Sequence, residues 1–417
     1  MILTNTDKLL LSGLLPTEAS DERMRQLLAS RDEIAWPETI RRAEFHSVAS
    51  LLRFNLSQFG LLNSLPEQQR EQLRDASQTW AARHLAYVNE AARLTAALKA
   101  EGITAIPLKG AALMLCGYYP QAGLRAALDI DLLVEPEKLE RADQIVAGLG
   151  YHHLPGKRSA RPRQRLANDI NHLWPRRGAN GLILELHHRA FHFARRARDF
   201  SFAEIRNRAV TVSISGNDIL LPSSTDLAFH LVHHTLVDLQ TTKAILRTAA
   251  DLYFIFAREA EAREAMIRQA TEFGFGGAAM LAVQMLKMLA DSSLEELDKA
   301  VSDDRMALLM ETALTEETQG LIDAARLFEY FDFGRHPLAK LGNLVSMLFT
   351  SREHLEQIYG QPQQGSVYWN YLRRPFDLLA KISRAGLSPA NLLRVWKLRK
   401  ISADVDKSKK QKCTPMV

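Results

Sequence analysis

The sequence predicts an α+β protein that is predominantly helical, with a small mixed β-sheet core flanked by N- and C-terminal helical regions. Glycine and proline are scarce, 21 and 15 of 417 residues, so long segments run uninterrupted. Most of those segments repeat apolar side chains at i, i+3, i+4, the period of a helix with one buried face. Only 101–216 breaks the pattern, with short β-branched runs separated by turn residues.

Residues 1–100 read as all-helical. Helices are expected over 17–31, over 37–56 and over 66–100, the last as one long helix or two short ones. Ile40, Ala43, Val48, Leu51 and Leu52 form a single stripe in the second, and Pro37 suits a first helical turn. The region 101–216 opens with a strand at 103–108 and a helix at 111–119. A loop over 120–128, a strand over 129–134 and a helix over 137–149 follow. Strand-like 172–175 and 182–188 flank the turn Arg177-Gly-Ala-Asn-Gly181, and 210–214 reads as a last strand. Over 217–402 helices return, at 224–239, 243–258, 260–273, 276–290, 293–301, 303–332, 337–357 and 368–384. Ser388-Pro389 then supplies a cap and a first-turn proline for 389–402. Residues 403–417 form a lysine-rich tail without an apolar face, expected to be disordered.

The net charge is +5, but it is unevenly spread. Residues 151–198 carry 11 Lys/Arg against Asp169 and Glu185, and 394–417 carry 8 against Asp404 and Asp406. The rest of the chain is therefore acidic, with a net −10. A uniformly basic, nucleic-acid-coating protein is not what this distribution describes. Two cysteines, Cys116 and Cys413, cannot build a disulfide framework, and no apolar run reaches the ~20 residues of a membrane span. The N-terminus shows no signal peptide, so a cytoplasmic location is expected.

Chemistry concentrates in Asp129-Ile-Asp131 and in Glu185. Alternate side chains of a strand share a face, so Asp129 and Asp131 project together while Ile130 turns inward. In Leu182-Ile-Leu-Glu-Leu-His-His188 the leucines share one side, and Glu185 and His187 share the other. Were the two strands neighbours, three carboxylates would meet. Such a cluster must take up protons or a hard cation, Mg²⁺ or Mn²⁺, and two such ions suit an in-line displacement at phosphorus. A D-x-D alone is more often a solvated strand end. Two neighbours in the sequence argue against that here. Lys109-Gly110 stands at a strand-to-helix junction where amides can approach phosphate, and Arg125 places a cation just upstream.

Leu108-Lys-Gly-Ala-Ala112, Tyr119-Pro120, Gly123-Leu-Arg125, Asp129-Ile-Asp-Leu-Leu-Val134 and Glu185-Leu-His187 together resemble the uncharacterised nucleotidyltransferase family of the DNA polymerase beta-like superfamily. The likeness extends to Trp36–Leu52, with His46 in its middle, and to Leu246-Arg-Thr-Ala-Ala-Asp251. The resemblance implies a nucleotidyltransferase core in which Asp129, Asp131 and Glu185 are catalytic and bind metal. Lys109, Gly110, Arg125 and His187 would then contact the nucleotide. Gly110-Ala111 stands where the superfamily has Gly-Ser or Gly-Gly, and Asp129 follows Gly110 by 19 residues.

The reaction so implied passes a nucleoside monophosphate from a triphosphate, ATP being the expected one, to an acceptor, with pyrophosphate leaving. The acceptor is left open among small molecule, peptide and protein, with nucleic acid disfavoured because no aromatic run interleaves the arginines. On this reading Asp131→Asn abolishes transfer without lowering thermal stability. Lys157, Arg158, Arg161, Arg163, Arg165, Arg176 and Arg177 would form a funnel for polyanions or merely a solvated face. His230 and His234 lie at i, i+4, but Leu231 stands where a zinc protease has its Glu, so core or acceptor-pocket roles are expected. His152, His153 and His172 read as structural or surface residues. The second reading is a catalytically inactive nucleotide-binding or scaffold protein, favoured by the altered glycine loop.

Overall fold

The computed structural model describes residues 2–30, 34–154, 171–191, 200–214, 216–237, 244–315, 369–374, 376–377 and 389–403. Arg158, Arg161, Arg163, Arg165 and Lys157, the expected 337–357 helix and the tail from 404 lie outside them.

The N-terminal helices are α1 (Asn5–Ser12), α2 (Glu18–Ala29), α3 (Trp36–Phe45), α4 (Ala49–Gln58) and α5 (Glu67–Ala100). The single stripe expected over 37–56 is two helices. Ser47 adopts a left-handed φ of 58°, and the Val48 N–H closes back on the Ala43 carbonyl at 2.8 Å, so a Schellman turn ends α3. The stretch expected as one long helix or two short ones is a single helix of 34 residues, Glu67–Ala100, which packs on β1.

The sheet contains β1 (Ala105–Pro107), β2 (Asp129–Val134), β3 (His152–His153), β4 (Arg176–Arg177) and β5 (Ile183–His187), in the order β1-β2-β5-β4-β3. β2 and β5 are parallel and every other pair is antiparallel, so the sheet is mixed. Two helices interrupt the strands: α6 (Lys109–Cys116) follows β1, and α7 (Leu139–Gly148) follows β2. Residues 172–175 do not form a strand; a single bridge joins His172 to His187. Their tryptophan and proline end the pairing that His172 begins, and β3, too short to show a period, takes the outer edge. After α8 (Phe202–Arg208), β6 (Val210–Ile214) and β7 (Asn217–Leu221) make a separate antiparallel hairpin, with β7 packed on β1 and α5.

The C-terminal helices are α9 (Ser224–Val232), α10 (Ala244–Arg258), α11 (Glu261–Glu272), α12 (Gly276–Asp291), α13 (Leu294–Ala300), α14 (Asp304–Leu314) and α15 (Pro389–Ala403). A π-helical turn, His233–Val237, continues α9. Among the described residues no helix is long and apolar enough to cross a membrane.

Two cores result. One lies under the sheet, where Leu94 and Leu98 of α5 meet Ile130, Leu132, Leu184 and Leu186. Each such fully buried side chain contributes about 1.5–3 kcal/mol. The other joins the N-terminal helices directly to the C-terminal ones. Arg23, almost wholly buried, shows how tightly: its guanidinium donates to Leu289 O at 2.7 Å and to the Ser292 carbonyl, capping the end of α12 from α2.

The loop that delivers β2 is fixed against α5. Gly123 has φ 85°, and a Cβ there would stand 2.5 Å from the Ala81 backbone nitrogen. Backbone cannot yield as a side-chain tip can. Gly123→Ala is therefore expected to destabilise the fold by at least about 2 kcal/mol, measured by chemical denaturation with an unchanged m-value.

Candidate active site

The parallel register of β2 and β5 sets Asp131 beside Glu185 and Leu133 beside His187. The pleat that buries Ile130, Leu132, Leu184 and Leu186 turns Asp131, Glu185 and His187 to the other face. Ligand atoms of these three residues lie within 4.8 Å of one another. Asp131 is fully buried, and its Oδ1 accepts from Lys109 Nζ at 2.8 Å and from His187 Nε2 at 2.7 Å. Its Oδ2 is buried without any hydrogen-bond partner. Glu185 Oε2 stands 3.5 Å from His187 Nε2 and 3.8 Å from His172 Nδ1.

Lys109 reaches this point through an unusual backbone. The Leu108 N–H donates to the Asp131 carbonyl at 3.0 Å, extending the β1–β2 ladder by one residue. Lys109 then takes a left-handed φ of 48°, turning the chain into α6. For a residue with a Cβ that conformation costs ~1–2 kcal/mol. The ion pair with Asp131 helps to offset it.

The electrostatics are those of three carboxylates sharing few cations. Burial alone would raise the Asp131 carboxyl, but Lys109 and His187 overcome it and hold the group well below the usual carboxylate range. Asp129, half-buried beside that anion, moves the other way: burial and the Asp131 charge push it up to about 6. Burial also opposes the charged forms of Glu185, Lys109 and His187. For Glu185, His187 and His172 outweigh it and lower the pKa; for Lys109 the three carboxylates raise it; for His187 hydrogen bonds to Asp131 and Glu185 raise it.

Asp131, Glu185, His187 and Lys109 are thus brought together. Asp129 pairs with Ile183 in register and stays outside the tight ligand group, at the mouth of the site beside the exposed Leu128. Arg125 does not offer its fork to the pocket. It is buried, its Nε donates to Asp251 Oδ1 at 2.7 Å, and Tyr119 OH donates to the same oxygen at 2.5 Å. Gly110 is used for packing: a Cβ there would meet the Ala127 Cβ at 2.9 Å. Arg176 is held by Asp143 through two bonds of 2.7 and 2.8 Å, which removes it from any anion funnel.

His172, Tyr87 and Arg247 were not foreseen as site residues, whereas His230 and His234 carried the expectation of a core or acceptor-pocket role. His172, read as structural or surface, packs its ring 5.1 Å from that of His187 and approaches Glu185. His230 is buried with both ring nitrogens unpartnered; its ring parallels that of His234 at 6.2 Å. Burial first, then the charges of Lys109 and His187, lower His230 to about 3 against the opposing pull of Asp131. His234 opens the π-helical turn with His233, a distortion found disproportionately at functional sites. Tyr87 of α5 feels Asp129, and Arg247 of α10 reaches the loop before it. The i, i+4 spacing of Arg247 and Asp251 was the available signal for this last one. A cavity of 590 Å³ opens elsewhere, past the ends of β2 and β5, and none of the carboxylate-site residues lines it.

With the site's geometry in view, comparison with known proteins gives its class. The model of the uncharacterised nucleotidyltransferase family matches residues 32–291, and the chain belongs to that family. A solved structure, an antigenic nucleotidyltransferase-like protein from Paracoccidioides brasiliensis, is similar at 13% identity. That likeness covers 50% of this chain and 94% of the other, with a TM-score of 0.28. No curated protein matches the sequence.

The two aspartates should separate in stability. Asp131→Asn leaves the Lys109 ammonium and His187 without their anion, so it is expected to cost about 3 kcal/mol or more in denaturant melts. This corrects the expectation that Asp131→Asn spares stability. Asp129→Asn removes a charge that is repelled in the apo protein, and its unfolding free energy should stay level or rise.

Proposed function

We propose that the chain is a metal-dependent nucleotidyltransferase that moves a nucleoside monophosphate from a triphosphate, ATP being the expected donor, to an acceptor hydroxyl. The observation that carries this is Asp131 Oδ2, a buried, unpartnered carboxylate oxygen beside Glu185 and His187. A buried anion with an open coordination side is costly unless something cationic completes it. The oxygen donors, the carboxylates of Asp131 and Glu185 with Asp129 at the mouth, suit Mg²⁺ or Mn²⁺. Asp131 and Glu185 would hold such an ion, with Asp129 completing the set and His187 orienting Asp131 through its Nε2–H, and the ion would supply Lewis acidity to phosphoryl oxygens.

The chain's own residues account for the rest. Lys109, fixed on Asp131, gives positive charge where an α-phosphate must approach carboxylates. Glu185, kept ionised by its histidines, is the group placed to take the acceptor's proton. The acceptor oxygen forms its bond to the α-phosphorus as the bond to the bridging oxygen breaks, and pyrophosphate leaves with that electron pair. Positioning and charge neutralisation are the catalytic contributions.

A second reading is a nucleotide-binding protein without turnover. It is favoured by Lys109 Nζ standing 2.8 Å from Asp131, a protein cation already in contact with the principal ligand, and by Gly110 serving packing. Incubation with α-labelled ATP, Mg²⁺ and cell extract separates the two. Wild type should pass label to a discrete acceptor, and Asp129→Asn, which keeps the fold, should pass at least 100-fold less. Label transfer that survives in Asp129→Asn would remove the aspartate pair from the mechanism. Magnesium-dependent ATP binding without transfer would favour the second reading.

A further inference from the structure

One cation at the site has no counter-ion. Arg247 projects from α10, and its Nε is buried with no hydrogen-bond partner. Its Nη1 reaches only the Ala126 carbonyl, at 3.5 Å, and among the described residues no carboxylate lies within ion-pair reach. The natural partner, Asp251 one turn along the helix, is already engaged: Arg125 and Tyr119 both donate to its Oδ1. Asp251 Oδ2 is itself buried and open, yet Arg247 does not turn to it. The side chain runs toward Ala126, three residues before Asp129.

Its surroundings make this position unfavourable for a bare guanidinium. Burial first, and then the charge of Arg125, lower Arg247 to about 10, despite attraction from Asp251 and Asp129. A side chain held in this way is completed by an added anion. A guanidinium donates to two phosphate oxygens at once through its planar fork, which a lysine cannot do.

We propose that Arg247 binds the terminal phosphates of the nucleotide, so that α10 supplies the polyphosphate clamp that the loop residue Arg125 was expected to supply. This rests on the nucleotidyltransferase reading for its ligand, and on the orphaned guanidinium for its location. Lys109 and Arg247 come from different elements, α6 and α10, and both feel Asp129. A triphosphate spanning the two would set its α-phosphorus at the carboxylates and its tail against α10. Arg125 acts at one remove, holding Asp251 away from Arg247 and keeping the clamp open.

The test uses the full chain with inorganic tripolyphosphate, ATP and AMP as probes, followed by calorimetry and thermal shift. Arg247→Gln should bind tripolyphosphate and ATP about 10- to 100-fold more weakly than wild type. AMP, which lacks the terminal phosphates, should bind both proteins alike. Without ligand, Arg247→Gln should melt at or above the wild-type temperature, since it removes a half-buried cation whose Nε has no partner. Arg247→Lys keeps the charge without the fork and should fall between the two, so it serves if the glutamine variant does not fold. Unchanged tripolyphosphate affinity in either variant overturns the clamp, and so does a loss in AMP binding equal to that in ATP. Failure of the enzymatic reading looks different: polyphosphate binding would still depend on Arg247, while no label reached an acceptor.

Discussion

The structure turns on the Asp131 carboxylate. One oxygen is shared between an ammonium and an imidazole, and the other is left open inside the protein. To bury that charge the fold brings together parts of the chain that lie far apart. β2 carries the aspartate, β5 carries His187 and Glu185, and Lys109, at the left-handed turn after β1, reaches Asp131 on β2. The parallel pairing of β2 and β5 is what makes the sharing work, because a one-residue slip would turn Glu185 and His187 into the leucine core.

A second buried ion pair fixes the mouth. Asp251 on α10 takes Arg125 and Tyr119 from the loop that precedes β2, and Gly123 lies flat on α5. The carboxylates are thus held from below by the leucine core, from one side by α5 and from the other by α10. The two helical regions are not independent flanks. They meet in one continuous core, and Arg23 joins them by capping α12 from α2. Rigidity of this kind suits phosphoryl chemistry, where the protein's task is to place charges before the reaction begins.

Much of this was legible in the sequence. The D-x-D strand, β5 and the long α5 follow directly from period, and alternation on β5 foretold that Glu185 and His187 share a face. The chemistry of Arg125 was not legible. A loop arginine before two aspartates looks like a phosphate ligand until Asp251, more than a hundred residues later, is known to be its partner. Gly110 misled for a related reason: a glycine at a strand-to-helix junction serves close packing as readily as close approach to phosphate. His172 was hidden because burial and neighbours, not spacing, decide what a lone histidine does. The strand over 210–214 was legible, whereas the short β3 and the hairpin partner β7 carry too few residues, or too little alternation, to stand out.

The central claim is that the Asp131 cluster binds a divalent cation. Manganese(II) titration of the full chain, followed by electron paramagnetic resonance with and without ATP, addresses it most directly. The account predicts saturable binding of at least one Mn²⁺ per chain, tightened by ATP and lost when Glu185 is replaced by Gln. Free-ion signal persisting at stoichiometric protein, or binding indifferent to Glu185→Gln, would contradict it.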